Sequence, residues 1–481
     1  MKVLQIPFGF YPDPVGGTEV YVEALSRYLH GFGVESTIAA PGSHDDVYGY
    51  QGIRVCRYGL SKKPDDLREL YGEGDPLAAS SFDRILSAEQ PDILHLHALT
   101  RGVSLRLVQA AKARHIPVVF TYHTPTITCQ RGTMMRWGTE HCEGLMEWHT
   151  CARCTLDGLF NRSGNFESHQ RSGVKTAAAR ALAYSIGSAP PALGAGLTRL
   201  NLQGRHWTAL RMTELTQLRH TTVRTFLAEV DHIIAACQWV RDVLVRNGVP
   251  PEKITLCRQG VAQEPEGAPR RLERLKISAE RPLQIAYFGR FDPTKGVETL
   301  IHAVRSLPIA RLRLAIYGVA QDEAGKRYEL KVRRSAGGDG RIEFHPPVRN
   351  TEIVSTLRNY DLLAVPSQWL ETGPLVVLEA FAAGIPVIGS HLGGITELVR
   401  DGFDGILVEP ASTRAWTEAL RRLSEDPAIV VRLRKNVLPP KSMYTVAKEM
   451  AELYEAVLSH RAVHCSDAAV ANLRSGEYEP C

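Results

Sequence analysis

The chain has 481 residues, too many for a single hydrophobic core, and its length calls for two domains or three. With 44% hydrophobic and 23% charged residues and a net charge of +5, the composition excludes a disordered chain and fits a soluble globular enzyme. The apolar start, Met1–Phe8, is too short for a signal peptide, and Ala181–Thr198, broken by Pro190-Pro191 and glycines, is a poor membrane span. The protein is therefore expected to be cytoplasmic, with its nine cysteines mostly reduced.

Val3–Phe8 reads as a first strand. Gly16-Gly17-Thr18-Glu19 then precedes a helix with apolar residues at Val20, Tyr21, Ala24, Leu25, Tyr28 and Leu29, closed by Gly31 and Gly33. A strand, a glycine turn and a helix N-terminus let a ligand approach the backbone closely, although on these residues alone a plain βα turn fits equally well. Gly-x-Gly-x-x-Gly is absent, because Ser36 stands where the third glycine would follow Gly31 and Gly33, which disfavours a dinucleotide fold. Further strands are expected at Ser36–Ala40, Ile53–Arg57, Pro91–His97 and Pro117–His123. The last two end in His97 and His123, at the strand ends that face the ligand crevice of an open α/β sheet; capping of a strand end is the structural alternative, stronger for His97.

Cys129, Cys142, Cys151 and Cys154 follow, spaced Cys-x12-Cys-x8-Cys-x2-Cys. One Cys-x-x-Cys knuckle with two further thiolates suits a tetrahedral structural zinc, with His141 or His149 able to replace a ligand. Free thiols, another metal or disulfides are the alternatives. Between Arg171 and Thr225 there are eight basic residues against one acid, Glu214. That bias suits an anionic acceptor, such as a lipid-diphosphate-linked sugar, or anionic membrane headgroups, and a solvated helical face is the bland alternative. Aromatic residues barely interleave with these charges, which argues against nucleic acid.

Val230–Cys237 reads as the last strand of a first domain and Trp239–Asn247 as a short amphipathic helix. Residues 262–281, polar with Pro265, Gly267 and Pro269, read as a linker. A new strand, Gln284–Gly289, runs into Arg290 and Lys295-Gly296 before a helix at Val297–Val304. Two cations five residues apart in one strand-to-helix loop can reach one diphosphate, Arg290 as a planar fork and Lys295 as a point charge. Gly-x4-Gly-Lys-Ser/Thr is absent, so a P-loop is not the explanation. Strands are expected again at Leu312–Gly318, Ile342–Val348 and Leu362–Ser367. After the last comes Glu371–Glu379, with Pro374 expected as the first residue of a helix that ends at Gly384-Ile385-Pro386. Its N-terminus, at Gly373, Pro374 and Leu375, is a ready phosphate site, with Glu371 at its mouth and Glu379 in the second turn. Residues 441–458 read as an amphipathic helix and the polar tail beyond His460 as mobile.

Glu-x7-Glu followed by Ala-x3-Gly-x-Pro-Val-Ile, together with Gly-Arg-x4-Lys-Gly and the Gly16-Gly17 turn, resembles the signature of family 4 retaining glycosyltransferases of the GT-B fold. The resemblance implies an α/β protein with two Rossmann-like domains facing across a cleft. Residues 1–261 would be the acceptor-binding domain, with a Cys-bearing and basic insert at about 124–225, and 282–440 the nucleotide-sugar domain. Residues 441–460 would return to the first domain, ahead of the tail 461–481. Some members of the family carry a similar cysteine insert. By resemblance Arg290 and Lys295 clamp the diphosphate, Glu371 holds the sugar hydroxyls and Glu379 the ribose. His123 would lie near the reacting carbon, and Gly16 and Gly17 would touch the donor phosphates and the acceptor.

The donor would be a nucleotide sugar, UDP- or GDP-linked, and the acceptor a sugar or lipid-linked glycan, as in cell-surface polysaccharide or glycoconjugate synthesis. No Asp-x-Asp occurs, so a catalytic metal bridging the diphosphate is not expected. Arg258-Gln259 stands where the family usually has Pro-Asn, which leaves the contacts of that turn open. A non-catalytic sugar-nucleotide scaffold and another GT-B enzyme, such as an epimerase, are the rival readings.

Overall fold

The computed structural model describes residues 1–13, 16–160, 174–198, 204–262 and 281–475. Most of the expected linker therefore lies outside the described residues. In chain order the strands of the first half are β1 (Lys2–Ile6), β2 (Glu35–Gly42), β3 (Asp46–Tyr50), β4 (Ile53–Gly59), β5 (Ile93–Leu96) and β6 (Val118–Tyr122). The short hairpin β7 (Met135–Arg136) and β8 (Glu140–His141) precedes β9 (His232–Ala235) and β10 (Ile254–Leu256). The second half holds β11 (Leu283–Arg290), β12 (Leu312–Val319), β13 (Ile342–His345), β14 (Leu362–Val365), β15 (Val387–Ser390) and β16 (Gly405–Val408).

The first sheet runs β10-β9-β6-β5-β1-β2-β4-β3, parallel except for β3, which pairs antiparallel with β4 on the edge. The second runs β13-β12-β11-β14-β15-β16 and is parallel throughout. Their strands are near-continuous apolar runs, as burial on both faces requires. In each sheet the order reverses beside the first strand, between β1 and β5 and between β11 and β14. Crevices open at the carboxyl ends of strands at such points. Gly16-Gly17 follows β1, His97 follows β5, Arg290 ends β11, and Glu371 lies in the loop after β14.

Each sheet carries an apolar core on both faces. The helix Met443–Ser475 joins the first half: Met443, Val446, Ala447, Met450 and Tyr454 pack with Val3, Tyr21, Val22 and Leu25. It runs on to Ser475 rather than ending near His460, so most of the expected tail is helical. The strands are shorter than expected at their carboxyl ends, which leaves His97 and His123 in the loops beyond β5 and β6. Strand β3 has an exposed, weakly apolar sequence and gave no signal of its own. Pro374 is the N-cap of the helix Leu375–Ala382, not its first residue, because its ψ of 115° is extended.

One glycine fixes how the loops after β11 and β14 approach each other. Gly296 has φ +68°, and a Cβ there would stand 1.9 Å from the Pro366 carbonyl oxygen at the exit of β14. Only glycine lets the Arg290–Lys295 turn lie against that strand end. Gly296→Ala is expected to cost at least about 2 kcal/mol, through positive φ and a backbone collision together. A urea melt with an unmoved midpoint would show that this packing does not matter.

Candidate active site

Lys295 and Glu371, from loops on adjacent strands, form the centre of the site. Lys295 Nζ lies 2.6 Å from Glu371 Oε1, and the Ser367 hydroxyl donates to the same oxygen at 2.7 Å. The carboxylate side chain is 8% exposed and the ammonium side chain 19%. Removing either partner of an ion pair this enclosed would leave the other charge without its counterion. Lys295 also lies over the Trp369 ring, 5.0 Å from its centre. Arg290 projects into solvent nearby and donates to Gln321 Oε1 at 3.1 Å.

Beyond Glu371 the helix Leu375–Ala382 begins at Pro374 with no side-chain cap. Its positive end thus has no side-chain acceptor of its own. Leu375 meets Gly17 of the first half, where a Cβ would stand 3.5 Å from Leu375 Cδ1. The Gly16 N–H donates to Glu19 Oε2 at 2.8 Å, so a carboxylate occupies the start of the helix Gly17–Leu29. Burial raises the Glu19 carboxyl above the usual range, and the Arg290 charge from across the cleft opposes that shift. Glu379 faces Val20, Tyr21 and Ala24 of that helix and Val261, Leu375 and Met443, and burial pushes it up to about 7.

His123 differs from expectation in what it presents. Its carbonyl accepts from the Thr372 hydroxyl at 2.6 Å, which ties it to the Glu371 loop. Both ring nitrogens are engaged elsewhere. Gln259 Nε2 lies 3.2 Å from His123 Nδ1, and His123 Nε2 lies 3.0 Å from His97 Nδ1. His97 Nε2 reaches Gln5 Oε1 at 2.7 Å; Gln5 Nε2 donates to the Tyr454 hydroxyl at 3.2 Å. That hydroxyl meets His95 Nδ1 at 2.6 Å, and His95 Nε2 meets Thr121 Oγ1 at 2.7 Å.

One set of proton positions satisfies the whole chain: each histidine is neutral, accepts at Nδ1 and donates from Nε2. Burial keeps all three uncharged, holding His123 at about 3 and His95 and His97 well below the usual histidine value. The His123 ring is therefore a poor candidate for acid–base work. Of this chain, the sequence pointed to His97 and His123 alone. Gln5 is one polar residue in a buried strand, and Tyr454 lies more than 300 residues away, so no local pattern marks either.

The two halves meet along the rim of the cleft. Glu397, in the helix Gly394–Leu398, accepts the Gln238 N–H at 2.7 Å and the Trp239 N–H at 3.0 Å, at the start of the helix Gln238–Arg246. Arg258 donates to Glu397 at 3.2 Å, the contact of the turn left open by the sequence. Trp239 Nε1 donates to the Glu371 carbonyl at 2.9 Å. Met134 and Met135, inside the cysteine loop, pack with Val243, Leu370 and Leu392, and the Leu370 N–H donates to the Thr133 carbonyl at 3.1 Å. The cysteine loop thus forms part of the cleft wall beside Glu371.

The expected zinc centre is not seen at the four cysteines. Among the described residues no three or more His, Cys, Asp or Glu side chains are arranged to hold a metal ion, and Cys129, Cys142, Cys151 and Cys154 are free thiols. Burial and the neighbouring sulfurs push Cys151 up to about 12, which keeps its proton on. Cys154 Sγ instead accepts the Trp137 N–H at 3.4 Å, beside Arg131.

The described cations of the basic run are largely engaged within the chain, although only Arg211 is buried. Arg211 is buried against Glu214 and Asp66, Arg219 donates to the Thr126 carbonyl, Arg224 to the Met146 carbonyl at 2.7 Å, and Arg180 pairs with Asp157. Arg171, Arg199 and the side chain of Lys175 lie outside the described residues.

Comparison with known proteins agrees with this architecture. Residues 15–146 match the family described as Glycosyltransferase Family 4, and residues 271–438 the one described as Glycosyl transferases group 1. Each half of the chain therefore contains a segment that matches a glycosyltransferase family model. The D-inositol 3-phosphate glycosyltransferase of Corynebacterium glutamicum (strain R) is 31% identical over 224 residues, 44% of this chain and 53% of that protein. The protein of the same name from Rhodococcus jostii (strain RHA1) is 31% identical over 216 residues, 43% of this chain and 48% of its own. The chain spans about half the length of these curated relatives.

Among solved structures, sucrose-phosphate synthase from Thermosynechococcus elongatus superposes with a TM-score of 0.61 at 18% identity, covering 96% of this chain and 100% of that one. Anabaena HepE in complex with UDP and glucose does so with a TM-score of 0.60 at 15% identity, covering 95% and 99%. At such identities the likeness is one of fold, and that fold is the two-domain, Rossmann-like GT-B architecture.

Two measurements follow from the site. Glu379 binds its proton more tightly in the folded state than unfolded, so its contribution to stability is largest in acid and is lost as pH rises from the ordinary carboxyl range through about 7. Glu379→Gln should abolish that loss, making the ligand-free protein more stable than the parent by about 2 kcal/mol at pH 8 but not at pH 4. Parallel pH dependence in urea melts of the two proteins would refute the assignment. Tyr454→Phe removes a hydroxyl shared by Gln5 and His95 and should cost about 1–3 kcal/mol. An unchanged denaturation midpoint would mean the chain of side chains is not coupled.

Proposed function

We propose that the protein is a glycosyltransferase that moves a sugar from a nucleotide-diphosphate donor to an acceptor hydroxyl with retention of anomeric configuration. The observation that carries this reading is the Lys295–Glu371 pair set against the uncapped start of the helix Leu375–Ala382. A cation, a carboxylate and a helix N-terminus converge where a leaving diphosphate and a sugar would sit side by side. In this reading Lys295, Arg290 and the backbone N–H groups after Gly373 and Pro374 stabilise charge developing on the diphosphate. Glu371, released from Lys295 by the incoming phosphate, accepts the donor sugar's hydroxyls. Glu379 takes the ribose, whose hydroxyls supply the hydrogen bonds that a buried carboxyl needs. No side chain is assigned as nucleophile.

HepE carries UDP and glucose in its solved complex, which favours a UDP-sugar over the GDP-sugar also considered. The acceptor in this reading is a sugar or lipid-linked glycan of a surface polysaccharide or glycoconjugate. The rival reading, a non-catalytic scaffold, leaves the Lys295–Glu371 pair and the open helix start without a purpose. Calorimetry with a panel of nucleotides and nucleotide sugars tests the proposal without knowledge of the acceptor. One base should bind selectively, and Lys295→Ala should weaken it tenfold or more while the far-ultraviolet spectrum stays unchanged, with turnover falling at least about 100-fold. Absence of binding across the panel, or a Lys295→Ala variant with parental affinity and rate, would sink the reading.

A further inference from the structure

The first half holds a second recess, of about 310 Å³, between the helix Met212–Glu229 and the segment that leads into the helix Trp148–Phe160. None of its lining residues belongs to the cleft. Gln217, His220, Thr221 and Arg224 form one side, at the i, i+3, i+4 and i+7 positions that share a helix face. Glu147, Trp148 and His149 stand across the gap. The segment before them is pinned on two sides. The Met146 N–H donates to Asn247 Oδ1 at 2.9 Å, Asn247 Nδ2 donates to the Gly144 carbonyl at 2.8 Å, and Arg224 donates to the Met146 carbonyl at 2.7 Å. The recess therefore has its shape before any ligand enters.

His220 is the residue that packing alone does not explain. It is 3% exposed, and among the described residues neither ring nitrogen has a hydrogen-bond partner; what exposure the ring has is to the recess it lines. A buried polar group left bare costs about 1–3 kcal/mol unless something entering the recess pairs with it. Burial and the nearby Arg224 and Arg219 charges hold the ring at about 4, so it is neutral, with one N–H to give and one bare nitrogen to receive. The surroundings narrow the partner. Among the described residues no three metal-binding side chains are arranged around an ion, so Glu147, His149 and His220 are not a metal site. Glu147 faces the same space as Arg224, which leaves little net charge to hold an anion. What remains is an amide, a hydroxyl and an imidazole beside one indole, which the His149 ring braces at 5.5 Å and 82°. Sugars match that set, with hydroxyls that both give and accept hydrogen bonds and an apolar C–H face that packs on an aromatic ring.

We propose that this recess is a saccharide-binding site, separate from the donor cleft, in which one sugar ring packs on Trp148 and its hydroxyls pair with His220, Gln217 and Thr221. Under the proposed function such a ring belongs to a glycan acceptor or its product, held away from the reacting hydroxyl. Binding of a free sugar here needs neither nucleotide nor turnover, so it stands or falls apart from that function.

Saturation-transfer NMR on the full chain without nucleotide tests it, with glucose, galactose, mannose and N-acetylglucosamine as probes. At least one should bind with a dissociation constant on the order of 1 mM. Trp148→Ala should weaken that binding at least about tenfold, and Gln217→Ala, at an exposed position, about threefold. His220→Leu separates binding from structure. It should weaken binding several-fold while the melting temperature holds or rises, because an unpaired buried imidazole adds nothing to the fold. A histidine kept for the fold alone would instead lower the melting temperature and leave the affinity unchanged. Thermal melts check every variant, and Gln217→Ala/Thr221→Ala carries the test if Trp148→Ala melts early. No signal from any of these sugars, or equal binding by the parent and the recess variants, would overturn the proposal. The second outcome would place the sugar elsewhere, in the donor cleft first.

Discussion

Everything at the cleft is arranged around one ion pair. Lys295 and Glu371 lie in loops that follow different strands of the second sheet, and they meet only because two backbone constraints bring the loops together. Gly296 lets the cationic turn lie on the Pro366 carbonyl. Gly393, at φ +52°, and Gly394 let their turn pass close behind Leu370 and Glu371, and the Gly394 N–H donates to the Glu371 carbonyl at 2.6 Å. A Cβ at either position would come within 3.0 Å of that backbone. The carboxylate is therefore positioned by its own main chain, which is held from both sides, with Trp239 of the first half as a third support. Positioning of this kind gives a site its fixed geometry before any ligand arrives.

Much of this was legible in the sequence. Gly-Arg-x4-Lys-Gly and Glu-x7-Glu are local patterns, each read within one strand-to-helix loop, and the structure brings their Lys295 and Glu371 into contact. The apolar runs gave the parallel strands, because a strand buried on both faces must be apolar along its length. What escaped were partners distant in sequence. Glu397 caps a helix of the other half that begins 159 residues earlier in the chain. Gln5, His95 and Tyr454 complete the chain behind His123 through contacts that no periodicity encodes. The basic run shows the same limit, because a count of charges cannot show that Arg211 pairs with Glu214 or that Arg219 donates to the Thr126 carbonyl.

The cysteine loop gains a different meaning. Its spacing suggested a metal knuckle, a unit that folds around its ion and is indifferent to its neighbours. Instead Thr133, Met134 and Met135, between the first two cysteines, lie against Leu370 and Leu392, next to Glu371. Methionine fills irregular gaps and tolerates small shifts, which suits a contact between two halves that approach across a cleft. The loop thus links the helical insert to the wall of the site.

Two helices point their positive ends into the same cleft, one from each half, and Gly17 touches Leu375 where they meet. Left bare, two such ends together with Lys295 and Arg290 would repel one another and hold the halves apart. Two carboxylates prevent this. Glu19 takes the Gly16 N–H on one side, and Glu371 neutralises Lys295 on the other. Burial makes ionised Glu19 costly, and the Arg290 charge across the cleft offsets part of that cost. Under the proposed function an incoming diphosphate supplies the same negative charge in a better place, against N–H groups and cations at once. Glu371 then loses its reason to hold Lys295 and is free to take up hydroxyls. The Lys295–Glu371 contact is thus one that a donor would exchange.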